Sequence, residues 1–170
     1  MLEQELTNLQ NYIGKKSLNQ TDEEVIEHIN KINNNTPLTE EEWKKLLIPC
    51  CNNGQVKILN FILEHISNID NIKEYMIHTV YGRYGKTDDF YLSRIEVLKI
   101  LMNYISTDKE EILNETMIEA AWFGETSIVK FLIENGANKE YKNKDGIGLL
   151  ECSERVEKQF KDISLKEYIK

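Results

Sequence analysis

Two segments of the chain, residues 50–65 and 120–135, share one pattern of residue types. The first reads CCNNGQVKILNFILEH and the second reads AAWFGETSIVKFLIEN. Each has two small residues, two variable residues, a glycine, a short polar stretch and then an apolar run. Residues 97–104, VLKILMNY, repeat that apolar run between the two segments. Such an internal repeat constrains the fold strongly, because each copy buries its apolar face against its neighbours.

The apolar residues of the repeat recur at helical spacing. Their i, i+1, i+4, i+5 pattern places one broad apolar stripe on each helix. Small residues at Ala120 and Ala121 allow close packing of two helices, and Gly124 and Gly136 can adopt the positive φ that ends a helix. The predicted core positions are Ile58, Leu59, Ile62, Leu63, Ile128, Val129, Leu132 and Ile133.

The last copy and its flanks resemble an ankyrin repeat. Residues 120–146 are similar to the family pattern of paired alanines, a loop glycine, a second helix, Gly-Ala-Asn and a hairpin ending in Asp-Gly. The family's Thr-Pro-Leu-His helix start is absent, and residues 115–118 stand in its place. The resemblance implies an all-α repeat solenoid of about three full repeats, with helical caps at both ends and at most one short β-hairpin.

The flanking segments predict further helices within a single domain. Residues 21–24 and 39–42 both have the capping-box pattern, which predicts a helix start at each place. Leu149 and Leu150 begin what would be a further inner helix. The expected divisions are a cap at 1–35, repeat 1 at 36–70, repeat 2 at 71–110 with an insertion at 83–94, repeat 3 at 114–146, and a partial repeat or cap at 147–170.

No arrangement of residues indicates catalysis, a metal site or a cofactor. The cysteines occupy positions where small buried side chains are needed, and free cysteine packs as a small hydrophobe. The histidines share no spacing, so we interpret each as a helix-surface or loop residue. The residues considered are Cys50, Cys51, Cys152, His28, His65 and His78. We therefore expect a protein that is not an enzyme.

Charge and hydropathy restrict the classes of partner that we expect for this chain. The chain has 21 basic and 29 acidic residues, a formal net charge of −8, and no basic stripe that would bind nucleic acid. Residues 1–20 lack signal-peptide features and no apolar run would span a bilayer, so we expect a cytoplasmic protein without a membrane partner. An acidic surface favours a basic protein partner; the alternative is that the charge only keeps the protein soluble. We expect a monomer.

The resemblance implies that a partner protein binds the concave face, at exposed positions of the inner helices. The positions that it carries over are the variable pairs before the loop glycines, with Gly82 aligned on Gly124. These residues are Asn52, Asn53, Val80, Tyr81, Trp122 and Phe123. Large exposed aromatics are over-represented among interface hot spots. The alternative is that Trp122 and Phe123 pack on neighbouring helices.

The middle copy has a longer connection before its second helix than the last copy has. Residues 83–94 read RYGKTDDFYLSR. Insertions in repeat proteins lie in loops, often on the binding side, so this segment is a second candidate contact region. Its predicted anchors are Tyr84, Phe90 and Tyr91, and its predicted charged residues are Arg83, Lys86 and Arg94. The alternative is that the insertion only extends the two helices.

The function predicted from these features is non-enzymatic binding of another protein. A narrower hypothesis is a stoichiometric inhibitor, such as an immunity protein for a toxin or a phage anti-defence protein. The alternative from another class is a small-molecule-binding or enzymatic domain that uses a cleft beside residues 83–94. A scaffold role is a third hypothesis.

Overall fold

The computed structural model describes residues 3–15, 20–81 and 88–169, without the side chains of 88–91. Within these residues the regular secondary structure is helical and no strand is formed. The all-α class predicted from the sequence is confirmed. The helices are α1 Glu3–Gly14, α2 Asp22–Asn35, α3 Glu40–Lys45, α4 Leu47–Asn53, α5 Val56–Leu63, α6 Ile72–Val80, α7 Asp88–Met102, α8 Lys109–Trp122, α9 Thr126–Glu134, α10 Leu149–Phe160 and α11 Ser164–Ile169.

The helices pack in two rows. In the first row, α1, α4, α6, α8 and α10 each contact the next member, and in the second row α2, α5, α7, α9 and α11 do the same. Each first-row helix also contacts the second-row helix that follows it in the chain. The short helix α3 leads into α4 through Leu46. Consecutive helix pairs therefore stack side by side, and the terminal pairs continue the two rows.

One continuous apolar core runs along the stack, and it contains the predicted core positions. Seven of the eight are buried, and Ile133 is only partly buried. Burial along residues 51–60 follows the same order, residue by residue, as burial along 121–130. The two segments that the sequence predicts to be equivalent are therefore also equivalent in the burial of their side chains.

The two loop glycines end their helices in the same way. Gly54 follows α4 with φ of 65°, and Gly124 lies just beyond α8 with φ of 76°. The next N–H donates back to the helix in both cases, from Gln55 to the Cys50 carbonyl at 3.0 Å and from Glu125 to the Ala120 carbonyl at 2.9 Å. Positive φ lets the chain turn sharply while orphan carbonyls are satisfied, as predicted for Gly124.

Both predicted capping boxes are present. The Glu24 N–H donates to the Thr21 hydroxyl at 3.1 Å, and the Thr21 N–H donates to the Glu24 carboxylate at 2.8 Å. Thr39 and Glu42 form the same pair of bonds at the start of α3. α10 begins at Leu149, where the sequence predicts a further first-row helix.

The insertion in the middle copy is helical over residues 88–94. α7 begins at Asp88, about two turns before Ile95, the residue equivalent to the first residue of α9. The loop interpretation is wrong for these residues, and the alternative of a longer helix is confirmed for them. The prediction that Arg94 is a charged residue of the contact region is wrong, because its side chain is 0% exposed and is bound to Thr79 and Glu125.

Candidate functional site

The C-terminal ends of α4, α6 and α8 meet at one surface whose centre is Tyr81. Tyr81 directly follows α6 and is 41% exposed. Its ring centroid lies 5.3 Å from that of His78 and 5.3 Å from that of Phe123, with edge contacts on both sides. We call the following set the Tyr81 surface: Asn52, Asn53, His78, Tyr81, Glu119, Trp122 and Phe123.

A cleft of about 650 Å³ opens beside Tyr81, between α1, α4 and α6. Asn53 is held there by a bond from its amide nitrogen to the Pro49 carbonyl at 2.8 Å. Asn52 Oδ1 and His78 Nδ1 are buried and have no hydrogen-bond partner among the described residues. Buried polar atoms are normally paired. The volume of the cleft lies in the range of known ligand sites.

Trp122 lies at the other end of the Tyr81 surface and is held by α10. The guanidinium carbon of Arg155 lies 4.1 Å from the Trp122 ring centroid, which is a cation–π contact. Arg155 also donates a hydrogen bond to the Trp122 carbonyl. Trp122 is therefore half-buried and fixed in orientation, and it is packed partly against the core.

Two carboxylates of α8, those of Glu115 and Glu119, affect each other and nearby phenols electrostatically. Burial, and next the neighbouring Glu115, raise the pKa of Glu119. Burial and then Glu119 raise the pKa of the Tyr81 phenol. Glu115 accepts a hydrogen bond from the Tyr141 hydroxyl, which raises the pKa of Tyr141 to about 12. Among the described residues, no lysine or arginine lies within ion-pair distance of Glu115 or Glu119.

The structure brings five of the predicted contact residues together and places one elsewhere. The five are Asn52, Asn53, Tyr81, Trp122 and Phe123. The prediction that Val80 contacts a partner is wrong, because its side chain is 0% exposed and belongs to the core. When the buried positions of α6 are matched to those of α8, Val80 corresponds to Ala121. The predicted alignment of Gly82 with Gly124 is therefore displaced by one residue.

The other predicted contacts belong to the insertion. Arg83 and Tyr84, like Lys86, lie outside the described residues. Phe90 and Tyr91 fall within α7, but their side chains lie outside the described part of the chain. The predicted binding role of this segment stays a prediction.

Sequence reasoning missed three residues of this region: His78, Glu119 and Arg155. A signal existed for two of them. His78 is three residues before Tyr81, and Glu119 is four before Phe123, and these spacings place side chains on one helix face. Arg155 has no comparable signal, because its contact with Trp122 forms between α8 and α10, which are separated along the chain.

The cysteines have the packing role that the sequence predicts. All three are buried, and burial raises the pKa of Cys51 and of Cys152 to about 12 and that of Cys50 as well. The thiolate is the nucleophilic and metal-binding form. These thiols therefore stay protonated and act as small apolar groups near neutral pH.

Among the described residues, no group of three histidine, cysteine or acidic side chains is arranged to hold a metal ion. None of the described helices combines the length and the apolar character that crossing a bilayer requires. No protein-family model matches the chain, and searches of curated proteins and of solved structures give no significant match.

Proposed function

We propose that this chain is an ankyrin-type repeat protein that binds another protein through the Tyr81 surface. Two lines of observation support the repeat assignment. Helix pairs stack in two rows, and the segments around Gly54 and Gly124 share turn geometry and burial order. In the ankyrin family, residues equivalent to Asn52 and Trp122 lie on the concave face, where partners bind.

The observation that carries the binding proposal is the joining of aromatic side chains from separate helices. Tyr81 from the end of α6 contacts Phe123 from the end of α8, and Trp122 lies next to Phe123. Aromatic side chains bring large, rigid, amphipathic areas to interfaces and are enriched among hot spots. The half-buried state of these rings means that little conformational entropy is lost when a partner covers them.

A capture experiment with variants tests this proposal. The full chain is tagged and incubated with a lysate of its source cells, and bound proteins are quantified by mass spectrometry. The test variants are Tyr81→Ala and Phe123→Ala. Tyr104→Ala is the matched control, because Tyr104 is a tyrosine of similar exposure, 43%, in the turn after α7.

We expect at least one protein that the wild type and Tyr104→Ala retain and that both test variants lose. Hydrogen exchange of that complex should show protection at residues 52–53, 78–81 and 119–123. Partners that all four proteins retain equally would contradict the proposal. The identity of a retained partner also tests the inhibitor hypothesis, which requires a toxin or a defence protein.

The alternative of a ligand site beside residues 83–94 depends largely on residues 82–87, which lie outside the described part of the chain. The cleft beside Tyr81 is lined mostly by amide and aromatic side chains. That lining favours recognition over catalysis.

A further inference from the structure

Helices α4 and α8 end with the same hydrogen bond from a backbone N–H. The Cys50 carbonyl of α4 accepts from the Gln55 N–H, and the Ala120 carbonyl of α8 accepts from the Glu125 N–H. In both turns the donor follows the acceptor by five residues. Such a bond satisfies one of the carbonyls that a helix end leaves without a partner inside the helix. It also fixes the direction in which the chain leaves the helix.

The equivalent carbonyl in α6 is that of Thr79, and there a side chain takes the place of the backbone donor. Arg94 Nε donates to it. Arg94 occupies the position of Gln55 and Glu125 in the repeat, but it follows Thr79 by 15 residues because of the insertion. Arg94 lies within α7, where a backbone N–H bonds to a carbonyl of the same helix. Its side chain therefore supplies the bond that the backbone supplies in the other two units.

The Arg94 side chain also contacts the turns after α4 and α8. Arg94 Nη1 lies 3.0 Å from Oε1 of Glu125, in the turn after α8. At Gly54, in the turn after α4, an added Cβ would lie 3.4 Å from Arg94 Cγ, so the aliphatic part of the side chain packs closely against that turn. One buried arginine therefore joins the three helix ends that form the Tyr81 surface.

We propose that Arg94 is a positioning residue of the Tyr81 surface, because it fixes the end of α6 so that Tyr81 meets Phe123. Its guanidinium binds Thr79, two residues before Tyr81, and Glu125, two residues after Phe123. It therefore links the chain segments that carry the two rings, whose centroids lie 5.3 Å apart. The expected effect on partner binding rests on the proposed function, whereas the effect on the ring contact does not.

Nuclear magnetic resonance of the full chain tests this role through the ring contact. The nuclear Overhauser effect between the Tyr81 and Phe123 rings is measured. The same effect between Trp43 and Phe61, whose ring centroids lie 5.9 Å apart in another part of the stack, is the internal reference. A variant that loses its fold loses both effects, and one that loses only the positioning of Tyr81 keeps the reference.

The variants separate positioning from core stability. Arg94→Met with Glu125→Leu removes the bond to Thr79 and leaves no unpaired charge in the core. Arg94→Lys keeps a charge beside Glu125, but one compact ammonium does not reproduce the two donors of the planar fork. Gln55→Met is the matched control, because it changes the equivalent side chain while the backbone bond to the Cys50 carbonyl stays.

A shortened chain provides the rescue. Deleting residues 83–92 and changing Ser93→Gly gives the connection after α6 the length and the turn glycine of the connection after α4. The backbone N–H of residue 94 can then bond to the Thr79 carbonyl directly. In this background the ring contact should no longer depend on the side chain of residue 94.

We expect the Tyr81–Phe123 effect to be lost in the double variant, weakened in Arg94→Lys, retained in Gln55→Met and restored in the shortened double variant. The Trp43–Phe61 effect should stay in all of them. A partner found by capture should bind the double variant about tenfold more weakly, since the rings are no longer preorganised.

An unchanged Tyr81–Phe123 effect in the double variant or in Arg94→Lys would overturn this inference and leave the proposed function standing. A lost ring contact with unchanged partner affinity would support the positioning role and count against the Tyr81 surface as the binding site.

Discussion

At the scale of single residues, Gln55, Arg94 and Glu125 occupy the same place in three successive units and are all buried. Arg94 Nη1 lies 3.0 Å from Glu125 Oε1, and the two side chains are 0% and 5% exposed. Gln55 Nε2 donates to the Ile13 carbonyl at 2.7 Å. A polar side chain at this one position therefore links each of these units to a neighbouring helix or turn.

Removing one member of the buried ion pair should lower the free energy of unfolding substantially. We expect Glu125→Ala to lower the free energy of unfolding by about 3–5 kcal/mol, because the Arg94 charge stays buried without that partner. The exposed pair of Lys57 and Glu23 is the control, and Lys57→Ala should cost less than about 1 kcal/mol. Urea unfolding followed by circular dichroism measures both values.

The double variant Arg94→Met with Glu125→Leu completes this test. It should recover most of the loss, since neither charge is then left unpaired in the core. Equal costs for Glu125→Ala and Lys57→Ala would mean that the buried pair does not form in solution.

Two glycines should respond to alanine in opposite directions. Gly54 has φ of +65°, and an added Cβ would lie 3.0 Å from Ser93 Cβ, so Gly54→Ala should destabilise the protein by about 1–3 kcal/mol. Gly14 ends α1, and its added Cβ would meet Pro49 Cβ at an ordinary 3.5 Å. Gly14→Ala should stabilise by roughly 0.5–1 kcal/mol. The thermal unfolding midpoints of the two variants show whether each substitution stabilises or destabilises the protein. A shift of both midpoints in the same direction would contradict the prediction.

At the scale of helices, the second-row helix α2 depends on its N-cap. It has three acidic residues in its first turn and a complete capping box with Thr21. Acidic residues there complement the helix dipole. Since α2 is an end member of its row and packs mainly against α1 and α5, local terms contribute more to its stability than they do for α7.

The cap of α2 can be tested with a pair of threonines. We expect Thr21→Ala to lower the free energy of unfolding by about 1 kcal/mol, because the Glu24 N–H loses its acceptor. Thr7 is an exposed threonine in the middle of α1, where it donates to the Glu3 carbonyl. Thr7→Ala should change stability by less than about 0.5 kcal/mol. A cost for Thr7→Ala as large as that for Thr21→Ala would refute the capping assignment.

At the scale of the whole molecule, the stack buries three thiols, and this links its stability to alkaline pH. A thiol whose pKa is raised on folding ionises more easily in the unfolded chain. Its contribution is therefore fully present below the ordinary value of 9.0 and is lost as pH rises from there towards about 12. The stability of the folded protein should fall in this window.

Cys51→Ala tests this linkage. The variant places alanine where the equivalent segment already has Ala121, so the packing change is small. Between pH 9 and 11 the wild type should lose about 1.4 kcal/mol per pH unit more than the variant does, because one fewer thiol ionises on unfolding. Urea unfolding at several pH values measures the slopes. Identical slopes would show that Cys51 does not contribute to the pH dependence.

The sequence alone was sufficient for local structure. Apolar spacing predicted the helices around Ile58 and Ile128, the capping boxes predicted the starts of α2 and α3, and glycine predicted the turn after α4. Each of these depends on interactions within a few residues, so the pattern that specifies them is contiguous in the chain. The pairing of Cys51 with Ala121 as buried small residues also followed from the repeat.

Tertiary packing decided which side chains were exposed. Val80 is buried and Tyr81 is exposed because α6 packs against α4 and α8 in a register that its own sequence does not specify. Arg94 is buried because Glu125, from a neighbouring repeat, compensates its charge. The Tyr81 surface exists only because three helix ends from separate parts of the chain meet there. Such long-range contacts are set by the fit of whole helices, which no local sequence pattern encodes.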